Sequence, residues 1–97
     1  MSITLTVVAT KAPEVDWYSI NHHDSWTRLY YFTGEFPGVM SLSGNHDEIN
    51  AYTYIVFDSM ESYTSYQTEV RSNEDYIARN NYYDSVGITS TVTVVTN

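Results

Sequence analysis

The chain has 97 residues, four of them basic and twelve acidic, for a formal net charge of −8. That length makes one domain, residues 1–97, with room for a single two-layer core. The charge argues against nucleic acids and anionic membranes as partners, because the cations that would displace the counterions of a phosphate backbone are missing.

With no cysteine, disulfides, zinc–thiolate sites and thiol catalysis are ruled out. No apolar run is long enough to span a bilayer. The N-terminal stretch ITLTVVAT is too short and too threonine-rich for a secretory signal, so a cytoplasmic location is expected. Ten tyrosines stand out. Tyrosine packs like an apolar residue while keeping a polar tip, which suits interfaces and wet pockets.

Residues 2–11 alternate, with Ile3, Leu5, Val7 and Ala9 on one face and Thr4, Thr6, Val8 and Thr10 on the other. This predicts a first strand. Pro13 suits the first turn of a helix, and Val15, Tyr18, His22, Trp26 and Leu29 recur at helical spacing, so a helix is predicted over 14–33. Gly34 would stop it in the left-handed conformation. A turn at Glu35–Gly38 leads to a second strand over 39–44, and the polar run 45–50 turns it into a third strand over 51–57, making a hairpin.

At the end of the third strand the period changes from two to three and four. Met60, Tyr63, Tyr66 and Val70 line one face of a helix over 59–71. Asp58 and Glu61 read as its capping box rather than as an acid–base pair. A break with a new N-cap at 72–75 precedes a second helical piece with Tyr76, Ile77, Asn80 and Tyr83 on one face, closing at 84–85. The last strand spans 87–96. Ile88, Ser90, Val92 and Val94 share one of its faces, and Thr89, Thr91, Thr93 and Val95 the other.

Strand, helix, strand, strand, helix, strand is the ferredoxin-like α+β order, βαββαβ, with a four-stranded antiparallel sheet and helices on one face. Ile3, Leu5, Val7, Ala51, Ile55, Phe57, Ile88, Val92 and Val94 are the residues expected under the helices. The opposite face would carry Val8, Tyr52, Tyr54, Val56 and Val95 among threonines. That is more apolar surface than a small monomer usually leaves open, so a second copy is expected to cover it.

The segments EFPGVMSLSGNHD, YTYIVFDSMESYTSYQ and NEDY resemble the dimeric α+β-barrel proteins, a group that includes the antibiotic-biosynthesis monooxygenase-like domains. Glu35, Pro37 and Gly38 match the turn of that group, and Phe57-Asp58-Ser59 with Glu61 matches its strand-to-helix step. The resemblance implies a homodimer in which two sheets pair as a barrel. It also implies a range of activities: cofactor-free oxygenation of aromatic polyphenols, haem degradation, lactone isomerisation, or ligand binding alone. The haem-degrading branch fits poorly. Thr4, Thr6 and Val7 stand where its pattern has an asparagine, Asn73, Glu74 and Tyr76 where it has a histidine, and Phe57 where a tryptophan is common.

Two functional readings follow. In the first, the homodimer binds a small hydrophobic or aromatic molecule in a cavity between helices and sheet, lined by Tyr18, His22, Trp26, Tyr63, Tyr66 and Tyr76, with Arg79 holding a carboxylate or enolate at the mouth. Tyr63 and Tyr66 taken singly also read as core filling. In the second, a cofactor-independent monooxygenase acts on an aromatic substrate, with His22 as base and Arg79 or a tyrosine at the developing oxyanion. A buried His22 satisfied by a hydroxyl or carbonyl is the plainer alternative. Adjacent residues on a helix point about 100° apart, so His22 and His23 do not share a metal. His46 reads as part of a polar turn. Neither a metal nor a cofactor is expected.

Overall fold

A computed structural model describes all 97 residues. The elements are β1 (Ile3–Thr10), α1 (Tyr18–Asn21), α2 (His23–Gly34), β2 (Val39–His46), β3 (Asn50–Phe57), α3 (Met60–Val70), α4 (Glu74–Val86) and β4 (Thr89–Thr96). The four strands form one antiparallel sheet in the order β2-β3-β1-β4. This is the ferredoxin-like α+β arrangement, with the helices on one face.

Register explains the two faces. Leu5 lies opposite Ile55 and Val94, and Ile3 opposite Phe57. Ile3, Leu5, Ile55 and Phe57 are buried in one cluster with Leu29 of α2, Phe36, and Tyr66 and Val70 of α3. One row further, Thr4 lies opposite Val56 and Val95, Thr6 opposite Tyr54, and Val8 opposite Tyr52. The alternation of β1 and β3 thus lays Val8, Tyr52, Tyr54, Val56 and Val95 side by side on the face turned away from the helices.

The helical layer differs from expectation in three places. The predicted helix over 14–33 is two pieces: residues 12–17 are not helical, and His22, at φ −131° and ψ 49°, separates α1 from α2. Leu29 faces inward as the stripe predicts, but Phe32 and Thr33 join it there and Trp26 is left exposed. The next difference concerns Gly34, which ends α2 without a positive φ. Gly38, at φ 93°, takes that conformation in the following turn.

The third difference is the cap of α3. Ser59 is the N-cap, its side chain accepting from the Ser62 backbone N–H, while Asp58 accepts from the hydroxyls of Ser59 and Ser62 at 3.1 and 2.5 Å. Those two hydroxyls hold the Asp58 carboxyl below its usual range. The two motifs that carried the resemblance also meet here, the Asp58 N–H donating to the Gly38 carbonyl at 2.8 Å.

A larger departure concerns β4. Ile88 is buried, but Val92 and Val94 are 54% and 40% exposed although they point to the helical side. The helices gather over β2, β3 and the N-terminal half of β1, and α4 packs on α1 and α2. Ile77 of α4 is likewise exposed rather than inward. No helix is long and apolar enough to cross a membrane.

Candidate functional site

Six of the seven residues predicted to line a ligand cavity fall into three groups, and Trp26 stands apart from them. Tyr63 and Tyr66 belong to the core edge of α3. Tyr66 stands edge-on to Phe36 at 5.4 Å and shares a 2.9 Å hydrogen bond with Thr33, and Tyr63 stands edge-on to Phe57 at 5.5 Å. Burial pushes the Tyr66 phenol upward, opposed by that hydrogen bond and by the charge of Arg79. These two rings fill space that the spacing of α3 assigns to the core.

Tyr18 and His22 form the second group, at the junction of α1 and α2. Their rings stack in parallel at 4.6 Å, and Tyr82 of α4 tilts against both at 5.5 and 5.8 Å. Tyr18 is buried, but His22 is exposed and lies on the rim of a shallow depression shared with Ile20, His23, Asp24 and Arg28. The expectation of a histidine turned into the core is therefore corrected: the backbone break at His22 turns its ring outward. Trp26 lies apart from both groups, stacked between His23 and Tyr30 on the outer side of α2.

A polar chain fastens this junction to α4. The Tyr18 hydroxyl donates to Ser25 Oγ, which donates to Asp75 Oδ1, both at 2.8 Å. Arg28 reaches the same carboxylate with Nε at 3.1 Å and Nη2 at 2.9 Å, a two-pronged pair. Asn73 caps α4 by accepting from the N–H groups of Asp75 and Tyr76.

Arg28, then Ser25, holds the Asp75 carboxyl below its usual range. A depressed carboxyl contributes stability that is complete above the unfolded value, near pH 4, and is lost as pH falls through the folded value. Wild type should therefore lose thermal stability on acidification below about pH 4. Asp75→Asn should flatten that slope, as differential scanning fluorimetry from pH 6 to pH 2.5 would show.

The third group is on α4. Tyr76, Arg79, Asn80 and Tyr83 are half-buried at positions that share one helix face. Tyr76 packs against the core cluster. The Arg79 guanidinium lies over the rings of Tyr76 and Tyr83, at 5.1 and 5.3 Å from their centroids. Its Nε is buried and has no acceptor, and Nη2 reaches only Asn80 Oδ1, at 3.4 Å. Burial pushes the Tyr83 phenol upward, with Arg79 opposing.

The sheet residues on the helical side beyond the core are short except for His46: Gly44, Thr53, Val7 and Val92 make one row, and His46, Ala51, Ala9 and Ser90 the next. Val7, Ala51 and Thr53 keep partial exposure there although they face the helices.

Sequence reasoning missed Tyr82 and the short residues of these rows, and placed Tyr83 on the α4 face without counting it among the lining residues. The four-residue step from Arg79 and the seven-residue step from Tyr76 already place Tyr83 with Arg79. No group of three histidine, aspartate and glutamate side chains is close enough to share a metal ion.

No protein-family model and no curated protein matches the chain by sequence. Solved structures match throughout its length. SnoaB from Streptomyces nogalater, a cofactor-independent oxygenase, superposes with a TM-score of 0.67 at 12% identity, covering 99% of this chain and 92% of SnoaB. A candidate antibiotic biosynthesis monooxygenase from Deinococcus radiodurans gives 0.70 at 9% identity, covering 100% and 92%. Rv0793 from Mycobacterium tuberculosis gives 0.67 at 14%, covering 100% and 95%. The fold is therefore that of the antibiotic-biosynthesis monooxygenase-like proteins which the Gly38 turn and the Asp58 step resemble. At such identities the likeness speaks for the fold, and a reaction has to be argued from the side chains.

Proposed function

We propose that the protein is a homodimer that binds a small, flat aromatic molecule on the helical side of its sheet, beside α4. The observation that carries this reading is the exposed Val92 and Val94 of β4 on the helical side of the sheet, together with the half-buried Tyr76, Arg79 and Tyr83 on one face of α4. A site with apolar floor and aromatic wall, and with a few polar tips, suits such a ligand. Tyr63 and Tyr66 would contribute as the packed back of that wall. Tyr18 and His22 would stand at its rim, and Trp26 outside it.

The dimer reading rests on the opposite face. Val8, Tyr52, Tyr54, Val56 and Val95 adjoin one another there, and a second copy would bury them as a two-fold interface. Native mass spectrometry of freshly purified protein tests both parts. The expected species is about 22 kDa, twice the 11.1 kDa chain. A single species at 11.1 kDa at micromolar concentration would overturn the dimer, and failure to take up 2-naphthol would count against the site.

Cofactor-independent oxygenation is the second reading, favoured by the likeness to SnoaB. It would use His22, stacked on Tyr18, as the base for a substrate phenol at the α1–α2 junction. His22→Ala should then slow turnover of a polyphenol or quinol by roughly a hundredfold or more. An unchanged rate in that variant removes His22 from the chemistry.

A further inference from the structure

We infer that the outer face of α2 is a docking surface for a basic segment of a partner protein, whose arginine and lysine side chains settle on its aromatic rings. This surface lies outside the proposed ligand site and does not depend on that reading.

The core side of α2 is already filled. Leu29 and Thr33 are buried there, and Phe32 packs against the core cluster. The outer side of a surface helix ordinarily carries charged or polar side chains. Here it carries rings. His23, Trp26 and Tyr30 follow one another at steps of three and four, and Tyr31 adjoins Tyr30. Successive ring centres lie 6.2, 5.5 and 6.0 Å apart, so the four rings form one continuous run. All four residues are exposed, Trp26 at 38%, Tyr30 at 43% and Tyr31 at 58%. A contiguous exposed patch of this kind marks an interaction surface, and tryptophan and tyrosine are enriched at such contacts.

Charge selects the partner. Asp24, Tyr31 and Glu35 are spaced by seven and four, which sets an exposed carboxylate on one flank near each end of the run. Neither carboxylate makes an ion pair, because the only basic residue of α2, Arg28, is committed to Asp75. The ring faces are themselves electron-rich and attract cations, arginine above all. With a net charge of −8, the whole chain also draws a basic partner from a distance.

Other occupants fit less well. A second copy would bring the same carboxylates, and like charges would oppose it. A neutral partner would cover the rings but gain nothing from Asp24 and Glu35. From His23 to Glu35 the helix rises about 18 Å, the length of roughly six residues of extended peptide. A short basic segment therefore suffices.

Calorimetric titration of the full-length chain at pH 7 and low salt with hexa-arginine tests this, with cellohexaose as the uncharged comparison. Wild type is expected to bind hexa-arginine and not cellohexaose. Trp26→Ala combined with Tyr30→Ala leaves the net charge unchanged and should weaken hexa-arginine roughly tenfold or more. Asp24→Asn combined with Glu35→Gln should weaken it severalfold. Glu61→Gln combined with Glu69→Gln removes the same charge from α3 and should leave it nearly unaltered. Amide shifts of 15N-labelled wild type should centre on residues 23–35, a readout that does not rest on the variants.

An undiminished affinity in the Trp26 and Tyr30 variant, or equal losses in the two carboxylate variants, would reduce the binding to general attraction by an acidic chain and overturn the assigned surface. Binding of cellohexaose instead of hexa-arginine would give the rings to a carbohydrate and overturn the basic partner. No binding of hexa-arginine at millimolar concentration would overturn the inference outright.

Discussion

Phe57→Ala is expected to cost about 3–5 kcal/mol, enough to leave much of the chain unfolded at room temperature. Phe57 is the largest side chain with no exposure at all, and it ends β3 where the sheet hands over to α3. Its ring stands 5.5 Å from Tyr63 and 5.3 Å from Tyr66, and its backbone pairs with Ile3 on one side and Val39 on the other. The cavity left by removing it would be lined by aromatic rings already locked by their own contacts, so little collapse can offset the loss. Phe57→Leu should cost distinctly less, because most of the volume is kept. Urea denaturation followed by tyrosine and tryptophan fluorescence would give both values.

The second large effect is expected at Gly38, for reasons of backbone rather than burial. At φ 93° an L side chain is strained, a term of about 1–2 kcal/mol. A methyl group would also be driven into the Ser62 side chain, which the Asp58 carboxylate holds in place. Overpacking of that kind adds roughly 1–3 kcal/mol, so Gly38→Ala should lose about 2–5 kcal/mol in total.

A double-mutant cycle separates the two parts. In a Ser62→Gly background the clash with Ser62 is gone, and the backbone strain should remain together with the 3.0 Å approach to Asp58 Oδ1. If Gly38→Ala costs the same in both backgrounds, the contact with Ser62 is not what requires glycine here. A loss near zero in both would contradict the strained turn itself.

Much of this architecture is written in the alternation of the strands. The period-two pattern of Ile3, Leu5, Val7 and Ala9, and that of Ile55 and Phe57, sorts the sheet into two faces that the register then confirms. The change of period at Phe57–Met60 places the start of α3, and the Gly38 and Asp58 motifs prove to be one joint. Ser59 rather than Asp58 caps the helix, which sequence alone does not distinguish, because both residue types accept from backbone N–H groups equally well.

The helical layer was less legible. No glycine or proline marks the break at His22, and the apolar stripe through Tyr18, His22 and Trp26 continues across it unbroken. Only packing decides that Thr33 turns inward and Trp26 does not. The bareness of β4 has a similar origin. Its composition is that of a core strand, but whether a helix covers it depends on where α4 lies, and α4 is drawn toward α1 and α2 by the Tyr18–Ser25–Asp75–Arg28 chain. Pairs so far apart in sequence leave no periodic trace. For the same reason Arg79 was legible as a neighbour of Tyr76 but not as a cation without a counter-ion.

The central claim is that an aromatic ligand settles on the helical side of the sheet beside α4. Titration of 15N-labelled protein with 2-naphthol, followed by amide chemical shifts, tests it most directly. The account predicts shifts concentrated in residues 76–83 and 90–94, with α2 around Trp26 and Tyr30 unaffected. Shifts confined to the outer side of α2, or none at millimolar ligand, would contradict it.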